Sequence, residues 1–234
     1  MNKVRLAFFS VLVLTASVAF ADKPSVGVID FTNDTSAAWW RGGTGRDLSG
    51  MLSNEMSSGG KFKIVERAKL DAVLAEQDLG TSGRVRKSTA AKAGKLTGAK
   101  YLITGTVSAF EEKTQGTGGG LSFRGISVGG SHSEAYIAID VRVIDTTSGE
   151  VKFTRTVEAR STSNAVSGGL YRGGFGGDLA TYNNTPAGKA IRACLVEISD
   201  YLGCVMVDQD SCVQEYQQKE DTRRANTKKS IKLE

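Results

Sequence analysis

The chain has little of what catalytic and metal centres are made from. It carries one histidine, His132, two prolines, and three cysteines that all lie late, at Cys194, Cys204 and Cys212. CxxC and HExxH are missing, and the glycine run at 116–120 precedes neither G-K-[ST] nor a helix start, as a phosphate loop requires. His132 stands in a glycine-serine stretch with no cysteine near it in sequence and no triad or metal-ligand spacing around it. The chain therefore reads as a non-enzyme, with no catalytic residue, metal or cofactor. Charge is modest, +5 overall, and its cations are mixed with acidic residues, which argues against a nucleic-acid partner. Beyond the first twenty-one residues no apolar run approaches the roughly 20 residues of a membrane-spanning helix.

The amino terminus has a targeting pattern. Lys3 and Arg5 give a short positive region, residues 6–20 carry no charge, and Ala19-Phe20-Ala21 supplies a small-x-small cleavage site before Asp22. Residues 1–21 are thus expected to be a cleaved signal peptide, which places the protein beyond the cytoplasm. Thiols tend to pair there, and Cys204 and Cys212 are close enough for a local disulfide. Cys194 falls on the apolar side of a predicted helix and reads as a small buried hydrophobe.

Periodicity supplies the elements. SVGVIDF at 25–31 is a β-rich run that breaks into a loop with Trp39 and Trp40, and Leu48, Met51 and Leu52 then recur at helical spacing until Gly59-Gly60. A strand at 61–65 leads into a helix over 66–78, with Leu70, Val73 and Leu74 on one face. An alanine-rich helix is expected over 88–96 with Ser88 or Thr89 as cap, then a strand over 101–110. Two alternating strands, 134–145 and 150–159, form a hairpin. Ala135, Ile137, Ile139, Val141 and Val143 share one face of the first, and Arg155 interrupts the apolar face of the second.

Thr185-Pro186 is a strong start for a helix over 187–202. Residues 208–234 are polar and expected to be a solvated, disordered tail. The fold class is α/β (α+β): a mixed sheet with packed helices over 22–207. One or two β-hairpins extend from it, as insertions at about 116–145 and 158–184. Those insertions hold most of an excess of glycine, 28 residues in all.

The glycine-rich segments admit two readings, surface loops or strand pairs of a membrane barrel. Residues 121–129, with Leu121, Phe123, Ile126 and Val128 and a slip of phase at Gly125, can pair across Gly130-Ser131 with the strand that follows. So few strands cannot close a barrel, so the membrane reading needs many copies in a ring.

The order of these elements resembles the curli secretion channel family (CsgG/HfaB). VGVIDFTNDT at 26–35, KFKIVERAKLDAVLAEQ at 61–77 and TGAKYLITGTVSAFE at 97–111 carry the resemblance, with AYIAIDVRVIDTTSGEV at 135–151 and NNTPAGKAIRACL before and within the last helix. The resemblance implies a homo-oligomeric outer-membrane ring whose periplasmic α/β domains each lend two hairpins to one barrel, through which unfolded amyloid subunits pass without nucleotide hydrolysis. It maps membrane hairpins to about 121–144 (Leu121, Phe123, Ile126, Val128, Ile137, Ile139, Val141) and 158–183. It also maps a pore-narrowing loop to about 33–46, with Asn33, Trp39, Trp40 and Arg41. For the two tryptophans, packing against the domain core or a neighbour is the equal alternative.

The chain also departs from the family. Channel members carry a lipid on a cysteine at the mature amino terminus, and here Asp22 follows the cleavage site. The arm that wraps neighbouring subunits is nearly absent. The segment 161–184 is short, with only Val166, Leu170, Phe175 and Leu179 for a lipid face. The second hypothesis is therefore a soluble periplasmic accessory or binding module of the same fold, with secreted or periplasmic protein partners.

Overall fold

The computed structural model describes residues 22–116, 121–123, 126–167 and 185–230. The expected signal peptide, the turn of the second hairpin and most of its apolar positions lie outside them.

Strand β1 (Ser25–Val28) pairs in parallel with β3 (Lys63–Ile64) on one side and β4 (Tyr101–Gly116) on the other. The two-residue β2 (Thr32–Asn33) adds to β4 in parallel at Thr106 and Val107. Then β6 (Ile126–Asp145) runs antiparallel to β4, and β7 (Val151–Ser167) antiparallel to β6. The sheet is mixed, as the change of pattern at residue 134 implies. β4, β6 and β7 have 16, 20 and 17 residues, against about 5–6 for an average strand.

One face of the sheet is covered. Helices α1 (Thr44–Gly59) and α3 (Pro186–Gly203) pack across it. Val26, Ile103, Val107, Ile137, Ile139, Val141 and Val143 are fully buried there with Leu48, Leu52, Met56, Ile198 and Leu202. Thr185 caps α3 by accepting a hydrogen bond from the Gly188 N–H at 3.1 Å, and Pro186 stands in its first turn. Gly105 has a structural reason: a Cβ there would lie 2.5 Å from the Phe31 ring.

Three expectations are corrected. Residues 88–96 form turns in place of a helix, with the Thr89 and Ala90 N–H groups donating to the Arg86 carbonyl. Alanine supplies helix propensity there, but no apolar stripe gives such a helix a partner. The tail is helical over 212–230: after α3 a π-helical turn (Cys204–Asp208) leads into α4 (Cys212–Ser230). Its first residue is bonded to Cys204 by a disulfide, and Gln, Lys, Glu, Arg and Ala favour the helix although it has no apolar face. The hairpin tip is also placed differently. Leu121–Phe123 (β5) pairs with 126–128, while Gly130 and Ser131 lie inside β6, opposite Val166 and Ala165 of β7. The slip expected at Gly125 lies outside the described residues.

Candidate functional site

The loop after β2 is tied down by its own side chains. The Asn33 amide nitrogen donates to the Thr35 carbonyl at 2.9 Å, and its amide oxygen accepts from the Thr35 N–H at 3.1 Å and hydroxyl at 2.7 Å. Asn33 is thus a turn-former. Trp39 is 2% exposed, edge-on to Trp40 at 5.7 Å and to Phe110 at 5.4 Å. This corrects its assignment to a pore constriction: the ring is the clamp that fixes the loop to β4, and Trp40 is half-buried against the core. The exposed rim of the loop is Asp34, Ser36, Ala38 and Arg41 with Gly42 and Gly43. The loop ends where Gly43, at φ 96°, turns into α1, and a Cβ on Gly45 would meet the Phe31 carbonyl oxygen at 2.2 Å.

Beside that loop the long strands leave the helix layer. Below Phe110, Tyr136 and Ala159 they have an apolar, buried face. Above, Glu111, Glu112, Lys113, His132, Glu134, Arg160 and Thr162 line a polar stem. Arg160 lies over the Tyr136 ring at 4.7 Å and pairs with Glu134 at 3.3 Å. Partial burial raises the Glu112 carboxyl above its ordinary value. Ile137, Ile139 and Val141, assigned to a membrane hairpin, are fully buried beneath the helices and belong to the domain core. Leu121, Phe123, Ile126 and Val128 hold register positions of one parity at the far end of the ribbon.

The interruption of β7 by Arg155 has a cause that the sequence did not disclose. Its guanidinium lies between the rings of Tyr201 (5.1 Å) on α3 and Tyr216 (4.8 Å) on α4, and donates to the Tyr216 carbonyl at 2.9 Å. Arg223 extends the clasp, pairing with Glu220 at 2.8 Å and with Glu158 of β7 at 3.5 Å. The Cys204–Cys212 disulfide closes the turn between α3 and α4. Cys194 is buried, and desolvation pushes its thiol up to about 12, so it is chemically quiet.

A cleft of 570 Å³ opens at the base of the sheet, lined by Lys23, Lys63, Lys100, Tyr101, Phe153 and Met206 among others. Among the described residues no three His, Cys, Asp or Glu side chains are grouped to hold a metal, and no helix is long and apolar enough to cross a membrane.

Comparison with known proteins agrees with the order of elements. The family described as the curli production assembly/transport component CsgG matches residues 9–231, nearly the whole sequence, and the chain belongs to that family. No curated protein sequence matches it. The chain is similar to a hypothetical protein from Chlamydia trachomatis, CT253, at 14% identity, covering 80% of this chain and 99% of that one with a TM-score of 0.44. It is also similar to the PelC dodecamer from Paraburkholderia phytofirmans, at 14% identity over 75% and 84% of the chains and a TM-score of 0.34. A third is a putative lipoprotein from Caulobacter crescentus, at 10% identity over 78% and 92% with a TM-score of 0.38.

Proposed function

We propose that this member of the CsgG family is a subunit of an oligomeric outer-membrane secretion channel of the curli type, exported with residues 1–21 as its signal and passing unfolded protein outward. The observation that carries this reading is the ribbon of β4, β6 and β7. A strand needs about five residues to cross a domain core, and these continue for six or more beyond it, raising the tip strands on a stem of about 20 Å. The stem is polar, and Leu121, Phe123, Ile126 and Val128 supply the apolar character at the tip. One such ribbon has open edges that lipid does not tolerate, so a barrel is completed only by ribbons of neighbouring copies. Selection is steric, at the exposed rim of the loop around Asp34, Ser36 and Arg41, which Trp39 holds rigid. An unfolded substrate needs no unfoldase, so diffusion and chain entropy suffice without nucleotide.

The second reading, a soluble periplasmic accessory that binds secreted or periplasmic proteins, is favoured by one observation: the stem runs 111–115, 132–134 and 160–164 contain only polar residues. Fractionation separates the two. The channel reading expects the mature protein in the outer-membrane fraction, resistant to a high-salt wash and forming a large ring in detergent. Release by salt alone, with a monomer in detergent, overturns it.

A further inference from the structure

Two stretches of this chain are segregated by charge. From 79 to 110 there is no acidic residue, and Arg84, Arg86, Lys87, Lys92 and Lys95 are all exposed and engaged in no ion pair among the described residues. From 193 to 218 there is no basic residue, and five acidic ones occur. Of these Asp208 pairs with Lys61 and Glu197 with Lys219, while Asp200, Asp210 and Glu215 are exposed and form no ion pair among the described residues. The acidic groups converge in space as well as in sequence: Tyr216 is pushed up to about 12 by burial and then by the fields of Glu197 and Asp200.

Exposed apolar side chains follow the same division. Among the described residues, eight large hydrophobic side chains are between 37% and 51% exposed, and seven fall in two sets. Val73, Leu74, Leu79 and Leu96 belong to helix α2 (Leu70–Thr81) and the basic segment after it, and Val196, Val207 and Val213 to the acidic one. Only Gln77 of α2 is buried, so this helix spends most of its apolar face on nothing within the described chain. Exposed apolar side chains thus stand beside the basic segment on one surface and within the acidic stretch on the other, while α2 itself also carries exposed Asp71, Glu76 and Asp78, and such apolar groups suit a protein interface better than a solvated face.

The two surfaces lie on opposite sides of the sheet. Arg67 and Ala99, which flank the α2 segment, pack over Gly27 beside Leu102, on the face turned away from α1 and α3. The acidic stretch begins within α3, which packs on the covered face, and continues into α4. One chain cannot bring its own two surfaces together, but two copies in the same orientation can. A head-to-tail contact of that kind repeats and closes into a ring when its rotation permits. We infer that α2 with the basic segment after it docks on the acidic surface between α3 and α4 of a second copy of this chain. This deepens the ring proposed above and rests on it, but it is read by self-association, independently of transport.

The test uses full-length mature protein and sedimentation velocity at low and high salt. Arg84→Glu with Lys95→Glu reverses one surface, and Asp200→Lys with Glu215→Lys reverses the other. Each pair is expected to weaken self-association at least tenfold. Mixing the two variants, or combining all four changes in one chain, is expected to restore it, and that recovery also shows that the variants fold. Assembly indifferent to either reversal overturns the interface and leaves the channel reading standing. Loss without recovery also overturns it. A wild type that stays monomeric while its basic segment binds phosphatidylglycerol vesicles overturns the interface in favour of a lipid surface.

Discussion

Strand β6 is two strands in one, and the contrast between its halves is instructive. From Ile137 to Val143 its odd positions are buried without exposure under α1 and α3, while Arg142 and Asp140 face out. From His132 to Glu134, on the same continuous ladder, no apolar residue occurs and the ladder is held by backbone pairing to β4 and β7. The lower half is held by burial, worth about 25 cal/mol per Å² of apolar surface. The upper half is held by hydrogen bonds that add little net stability in water. The lower half therefore specifies the domain, and the upper half adds little to its buried core.

The sharpest way to break that contrast is to place one charge in each half. Ile139→Asp should cost more than about 4 kcal/mol, because it buries an unpaired carboxylate, and should prevent folding. Thr162→Asp, on the exposed stem, should shift urea denaturation by less than about 0.5 kcal/mol. Equal effects would dissolve the division. A smaller loss is expected from Gly45→Ala, whose new Cβ would press on the Phe31 carbonyl. We expect about 2–3 kcal/mol by the same measurement, of the size seen for overpacking.

Reduction of the Cys204–Cys212 bond, or Cys212→Ser, should cost about 2–3 kcal/mol of unfolding free energy for a loop this short. It should free α4 while leaving the sheet intact, read as loss of hydrogen-exchange protection confined to 212–230.

The weakest effect is one of pH. The hydrogen bond from Arg223 holds the Glu220 carboxyl below its ordinary value. Its stabilisation is therefore complete above the unfolded value of about 4.3 and is lost as pH falls through the lower folded value. Protection of α4 should fall in acid before the core unfolds, and Glu220→Gln should remove that step.

Much of this was legible. Alternation from Ala135 to Val143 and the Thr185-Pro186 start found the hairpin and α3, because period and capping are local physics. What covers an apolar face is not local. The same alternation fits a lipid face or a core, and only α1 and α3 decide that Ile137, Ile139 and Val141 are core. Trp39 was open to both readings for the same reason, and its contact with Phe110 spans 71 positions. Helix α4 eluded the pattern because it has no apolar stripe. Its docking rests on Arg155, Tyr216 and a disulfide, where periodicity has nothing to report.

The central claim is that the far end of the ribbon meets lipid once copies assemble. A cysteine at Phe123, carrying an environment-sensitive fluorophore, tests it in protein assembled into vesicles of outer-membrane lipid. The account predicts blue-shifted emission that spin-labelled acyl chains quench, with a label at Thr162 unaffected. Water-like, unquenched emission at Phe123 in a fully assembled protein would contradict it.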